Sequence, residues 1–326
     1  MKAVKRISGL ALTLALLSVP FLVYFNAQAL TDWWRLRGYT PPKPVSSLAA
    51  QDTMTPYARH VFYVNHPDLE SSASQFRADC NESEQTIVLG CYRSDQNGIF
   101  IYDVQDKRLA GVQQVTAAHE MLHAAYDRLS ASDKSSVDNM LADYYNTGLT
   151  DQRIKDTINE YKKTEPNDLV NEMHSIFGTE IARLPAPLEK YYQRYFTDRQ
   201  AVIGFEQSYQ GEFTSRESQI KADDAKLASM KADIESQEAS LRAQAQAINA
   251  DRARLDSQKA AGDTQAYNSG VPGFNREVEA YNAGVERLRR EISAYNQLVV
   301  ERNAIAVELT SLDQAIDTRL STQSAQ

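Results

Sequence analysis

The sequence predicts an α+β protein in two parts: a small domain with a β-hairpin and a motif-bearing helix, then a long all-α coiled-coil hairpin. Three observations carry this. Thr86–Tyr92 and Ile99–Val104 are runs rich in β-branched and aromatic residues, separated by Ser94-Asp95-Gln96-Asn97-Gly98, a turn signal. Gln114–Leu129 has apolar residues at helical spacing and no Gly or Pro. From about Leu184 onward the strand signal fades and an apolar position recurs once per heptad.

The central helix contains His119-Glu120-Met121-Leu122-His123. Residues four apart on a helix lie on one face, so His119 and His123 project side by side and can hold one metal ion. Glu120 sits about 100° round the helix, within reach of a water on that ion. Val115, Ala118, Met121, Leu122, Ala125 and Leu129 give the helix a side to bury. Two imidazoles and a carboxylate on a half-buried helix are costly without a shared partner, and Zn2+ supplies one.

Composition narrows the alternatives. The chain has 326 residues, enough for two domains, and is 42% hydrophobic, enough for a packed core. A net charge of −8 argues against nucleic acid as partner. In an exported protein, Cys80 and Cys91 read as one disulfide closing a short loop.

Read in order, Lys2, Lys5 and Arg6 precede an uncharged run, Ile7–Phe25. It is about twenty residues long, long for a cleaved signal and just adequate to span a bilayer. An uncleaved membrane anchor is therefore favoured over a signal cleaved near Ala29, at Ala27-Gln28-Ala29. Either way the rest lies outside the cytoplasm. Trp33 and Trp34 stand where interfacial aromatics sit, or else pack on the domain. Pro41-Pro42-Lys43-Pro44 reads as a stiff extended spacer. The expected division is 1–29 signal or anchor, 30–54 linker, 55–200 metal-bearing domain and 201–326 helical hairpin.

Arg59–Asn65 reads as strand, and His60 and His66 as structural or exposed. Ser130–Leu149 and Asp151–Tyr161 read as scaffold helices. A catalytic zinc keeps three protein ligands and one open position. The short motif gives two, and the positions where an elongated motif places Gly and a third His hold Tyr126 and Leu129. The third ligand must come from downstream, where Asp168–Glu180 is a half-apolar helical stretch carrying Glu172 and Glu180.

His119-Glu120-x-x-His123 followed by Asn171-Glu172 resembles the gluzincin branch of zinc metallopeptidases, the group that includes thermolysin. The resemblance covers about Thr86–Glu180. It implies a zincin-like catalytic domain, Zn2+ held by His119, His123 and Glu172, and hydrolysis of a protein or peptide substrate with Glu120 as general base. Such enzymes carry an Asp four residues after the glutamate. Here Ile176 stands there, which leaves Glu180 open as the alternative ligand. His174 is an oxyanion donor or a packed histidine, and Asp127 could orient His123 or be an exposed charge. Tyr126, Tyr161, Tyr191 and Tyr192 are candidate neutral donors.

In the last third, Ile220, Leu227, Ile234, Leu241, Ile248 and Leu255 form a thin stripe. Phe274, Val278, Tyr281, Val285, Leu288, Ile292, Tyr295 and Val299 form a stronger seam. Turn signals at Ala261–Asp263 and Asn268–Gly273 suggest an antiparallel hairpin, with a parallel homodimer as rival. It would serve as a spacer, a dimer surface or an arm for an envelope partner. The rival to the peptidase is a non-enzymatic envelope interaction protein acting through this coiled coil, its metal site structural or inactive.

Overall fold

A computed structural model describes residues 23, 26–80, 87–96 and 98–319. The expected anchor Ile7–Phe25 lies almost wholly outside the described residues, as do Thr86, Asn97 and the last residues, Ser321–Gln326. No helix among the described residues is long and apolar enough to cross a membrane. Most of the chain is helical, with one small mixed sheet.

The described residues form two compact units: those before residue 211 together with 315–319, and residues 211–314. In the first, α1 (Ala27–Leu36), α2 (Lys43–Gln51) and α3 (Pro56–Val64) precede β1 (Asp68–Glu70) and α4 (Ala73–Cys80). Then come β2 (Gly90–Arg93), β3 (Gly98–Tyr102) and α5 (Val112–Asp127). Helices α6 (Ala131–Thr147), α7 (Gln152–Thr164), α8 (Leu169–Glu180) and α9 (Ala186–Tyr192) complete the series before the two long helices.

Residues 30–54 are not a linker. Val45, Leu48, Ala49 and Met54 are buried in the main core, and the prolines cap α2 instead of forming an extended spacer. Pro42 is its N-cap and Pro44 lies in the first turn, where a missing N–H costs nothing. Arg59–Asn65 is likewise helix, not strand. Thr55 Oγ1 accepts from the Ala58 N–H, Pro56 starts α3, and Ala58, Val61 and Phe62 then fall on its buried face. The cap and the helical spacing outweigh the β-branched composition. Leu184–Pro187 breaks the chain only locally. Pro185 caps α9, whose Leu188 and Tyr192 return to the same core with Tyr195 and Phe196.

The expected β-hairpin is present. Strands β2 and β3 pair antiparallel, with Cys91 opposite Phe100 and Tyr92 opposite Ile99. β1 pairs parallel to β3 on its other side, which leaves β2 at the edge of the sheet. A Cys80–Cys91 disulfide ties α4 to β2. Near the chain's end, Thr318 Oγ1 donates to the Val88 carbonyl at 2.8 Å and the Thr318 carbonyl accepts from Arg77.

Helix α5 is the axis of this unit, and its face from Val115 to Tyr126 is buried almost throughout. It packs against α8 because Gly178 has no side chain. A Cβ there would stand 2.4 Å from Leu122 Cδ1 and 2.8 Å from Tyr192 Cε1.

The second unit lies within α10 (Arg199–Ala260) and α11 (Thr264–Ile316), joined through Gly262 at φ +75°. Arg216 pairs with Glu308, Asp224 with Arg302 and Gln237 with Glu291, a register that runs antiparallel. Ile220, Leu227, Ile234, Leu241, Ile248 and Leu255 are all withdrawn from full exposure, as the heptad pattern expects. The turn signal at Asn268–Gly273 is instead the interior of α11, Pro272 included. Gly270 and Gly284 are close-approach positions: added Cβ atoms would stand 2.7 Å from Leu255 Cδ2 and 2.8 Å from Leu241 Cδ2.

Candidate metal centre

Helix α5 carries His119, Glu120 and His123 on one side of its middle turns, and α8 delivers Glu172 to the same place. His119 Nε2 lies 3.0 Å from His123 Nε2. Glu172 Oε2 is 3.7 Å from His119 Nε2, and Oε1 is 3.4 Å from His123 Nε2. Zinc ligands about 2.0–2.1 Å from the ion at tetrahedral angles stand about 3.3–3.4 Å apart, within the range of these three separations. Glu172 is 6% exposed, and its Oε2 has no hydrogen-bond partner. A buried carboxylate oxygen facing two imidazole nitrogens is a donor set that a divalent cation satisfies.

The electrostatics agree. Burial pushes the Glu172 carboxyl up, but His123, His119 and the Tyr161 hydroxyl outweigh it and hold it below the usual glutamate value. Burial and the neighbouring charges of Glu172 and Glu120 raise the Tyr161 hydroxyl well above its usual value, so it stays protonated and can donate. Glu120 is buried at the same cleft. Its neighbour is Gly90 on β2, where a Cβ would fall 2.8 Å from Glu120 Oε1 and 2.4 Å from Thr116 Cγ2. The strand backbone thus runs directly past the carboxylate. The cleft has a volume of about 370 Å³ and is walled by β2, α5 and the α7–α8 connection.

The other candidates separate cleanly. Glu180 stands apart, held by Arg153 Nη1 at 2.7 Å, while Arg153 Nη2 binds Glu206. Of the four tyrosines, Tyr161 lines the cleft. Tyr126 donates to Asp138, Tyr192 donates to the His174 carbonyl, and Tyr191 shares hydrogen bonds with His174 and Tyr195. His174 is fully buried among these rings, and burial pushes its imidazole down to about 3. It packs behind the cleft and does not line it. Asp127 lies at the cleft, 3.8 Å from Lys134. His60 and His66 are engaged with Asp32 and with the Arg35 carbonyl.

Sequence reasoning did not single out Gly90, Glu165 or Asp168. A glycine inside a β-branched run is a signal for close backbone approach and could have marked the first. The Asp32 carboxylate of α1 also binds Arg128, just beyond α5, through two 2.8 Å hydrogen bonds, and nothing in the local pattern announces that pair.

No family model, curated protein or solved structure matches the chain.

Proposed function

We propose that the chain is a zinc-dependent peptidase of gluzincin type, acting outside the cytoplasm at the cell envelope. The observation that carries the reading is the convergence of His119, His123 and Glu172 around one point, with Glu120 beside it. These three side chains would hold the ion. When bound, zinc polarises a carbonyl and makes water acidic enough to attack near neutral pH.

The chain's own residues supply the remainder. Glu120 takes the proton of the attacking water and later delivers it to the leaving nitrogen. Tyr161, kept neutral, donates to the developing oxyanion. Strand β2 lies at the edge of the sheet and along the cleft, where an extended peptide could add as a further strand. The Cys80–Cys91 disulfide supports an oxidising compartment, and the basic residues before Ile7–Phe25 support export or anchoring.

The test is hydrolysis of an unstructured protein by the full chain, zinc-loaded and chelated, beside Glu120→Gln. Zinc-dependent cleavage that disappears in Glu120→Gln while zinc stays bound is expected; cleavage persisting in that variant defeats the assignment. The second reading, an envelope interaction protein, draws on Val300 and Val307, exposed one heptad apart on α11. Bound zinc with no hydrolysis in either form favours it.

A further inference from the structure

We propose that the α7–α8 connection at the cleft is a subsite for a positively charged nitrogen of the substrate, built by Glu165, Asp168 and Asn171. It rests on the peptidase reading for the position of the scissile bond, but the charge preference is a binding property in its own right.

Carboxylate oxygens of Glu165, Asp168 and Glu172 lie within 4.8 Å of one another. Among the described residues, no Lys or Arg lines the cleft. With Glu172 given to the metal on the proposed reading, Glu165 and the exposed Asp168 remain as neighbouring like charges at the cleft, and their mutual repulsion favours a cation there. Asp168 occupies the N-cap position of α8, yet its side chain makes no capping hydrogen bond. It accepts instead from Asn171 Nδ2, at 3.3 Å to each oxygen.

The independent sign is Asn171. Asn171 is among the residues that line the cleft, it is 6% exposed, and its buried Oδ1 has no hydrogen-bond partner. A buried acceptor without a donor, set among carboxylates, is matched by an N–H-rich cation. An ammonium or guanidinium supplies the donors and the charge together. The source is a Lys or Arg side chain beside the scissile bond, or the free amino terminus of a peptide.

The experiment measures binding of carboxy-terminally labelled peptides to the zinc-loaded full chain carrying Glu120→Gln, by fluorescence anisotropy. One pair of peptides differs only by lysine against norleucine, the other by a free against an acetylated amino terminus. The charged member of one pair should bind about tenfold tighter, and the pair that shows it names the source. The preference should shrink with added salt and vanish in Asp168→Asn and in the milder Glu165→Gln, with melting curves confirming folded variants.

Equal binding of charged and neutral peptides, including no binding of either, overturns the proposal. So does a preference that survives both substitutions, or a second divalent ion that Asp168→Asn removes. Hydrolysis by the unsubstituted chain without charge preference sinks the subsite alone; charge-selective binding without hydrolysis sinks the peptidase alone.

Discussion

Replacing Gly90 by alanine sets a methyl group where the structure has no room. The new carbon would stand 2.4 Å from Thr116 Cγ2, 2.8 Å from Glu120 Oε1 and 2.9 Å from Glu120 Cγ. Carbon–carbon contact is comfortable only from about 3.5 Å, so β2 must retreat from α5 or Glu120 must swing aside. Overpacking of this kind costs about 1–3 kcal/mol, which lowers the melting temperature by roughly 2–10 °C in a unit of this size. The effect on chemistry is larger. A catalytic group displaced by about 1 Å can lose about a hundredfold in rate. His119, His123 and Glu172 are not among the atoms closest to the new methyl, so on the proposed reading zinc affinity should be retained. Turnover, zinc titration and thermal melting on the same preparation separate these effects. A Gly90→Ala chain that stays folded and cleaves at the unsubstituted rate would refute the placement of Glu120 against β2.

The remaining predictions concern the frame around the site. Glu180→Gln leaves zinc binding intact and lowers the melting temperature, because Arg153 loses one of its two carboxylate partners. Paired Cys80→Ser and Cys91→Ser substitutions cost about 3 kcal/mol in denaturant unfolding, the chain-entropy expectation for a loop this short. Asp52 is fully buried, both its oxygens lack partners, and burial raises its carboxyl well above 3.8. The folded chain therefore keeps a proton that the unfolded chain releases, and stability falls as pH rises above that value. Asp52→Asn removes this dependence, so melting curves should show its stability relative to the unsubstituted chain improving as the pH rises above 3.8.

The placement of His119 beside His123 was legible because it depends on short range. His119 and His123 share a helical face by spacing alone, and the apolar neighbours of the motif foretold its burial. The choice between Glu172 and Glu180 was not fixed by α8 alone, since both lie on it. A cation from another helix, Arg153 of α7, claims Glu180. Two segments depart from their local sequence pattern. Composition alone favours strand over Arg59–Asn65, but Thr55 and Pro56 write the start of a helix. Gly and Pro usually break helices, so Asn268–Gly273 reads as a turn, yet it lies inside α11. Gly270 serves there to bring Leu255 close, a reason that exists only once the two helices are paired.

The most direct measurement is the metal content and zinc affinity of the purified full chain beside His119→Ala, His123→Ala and Glu172→Gln. The account predicts tight binding of one zinc ion per chain, weakened sharply by each substitution. A chain that binds no zinc, or binds it as well without the Glu172 carboxylate, would contradict it.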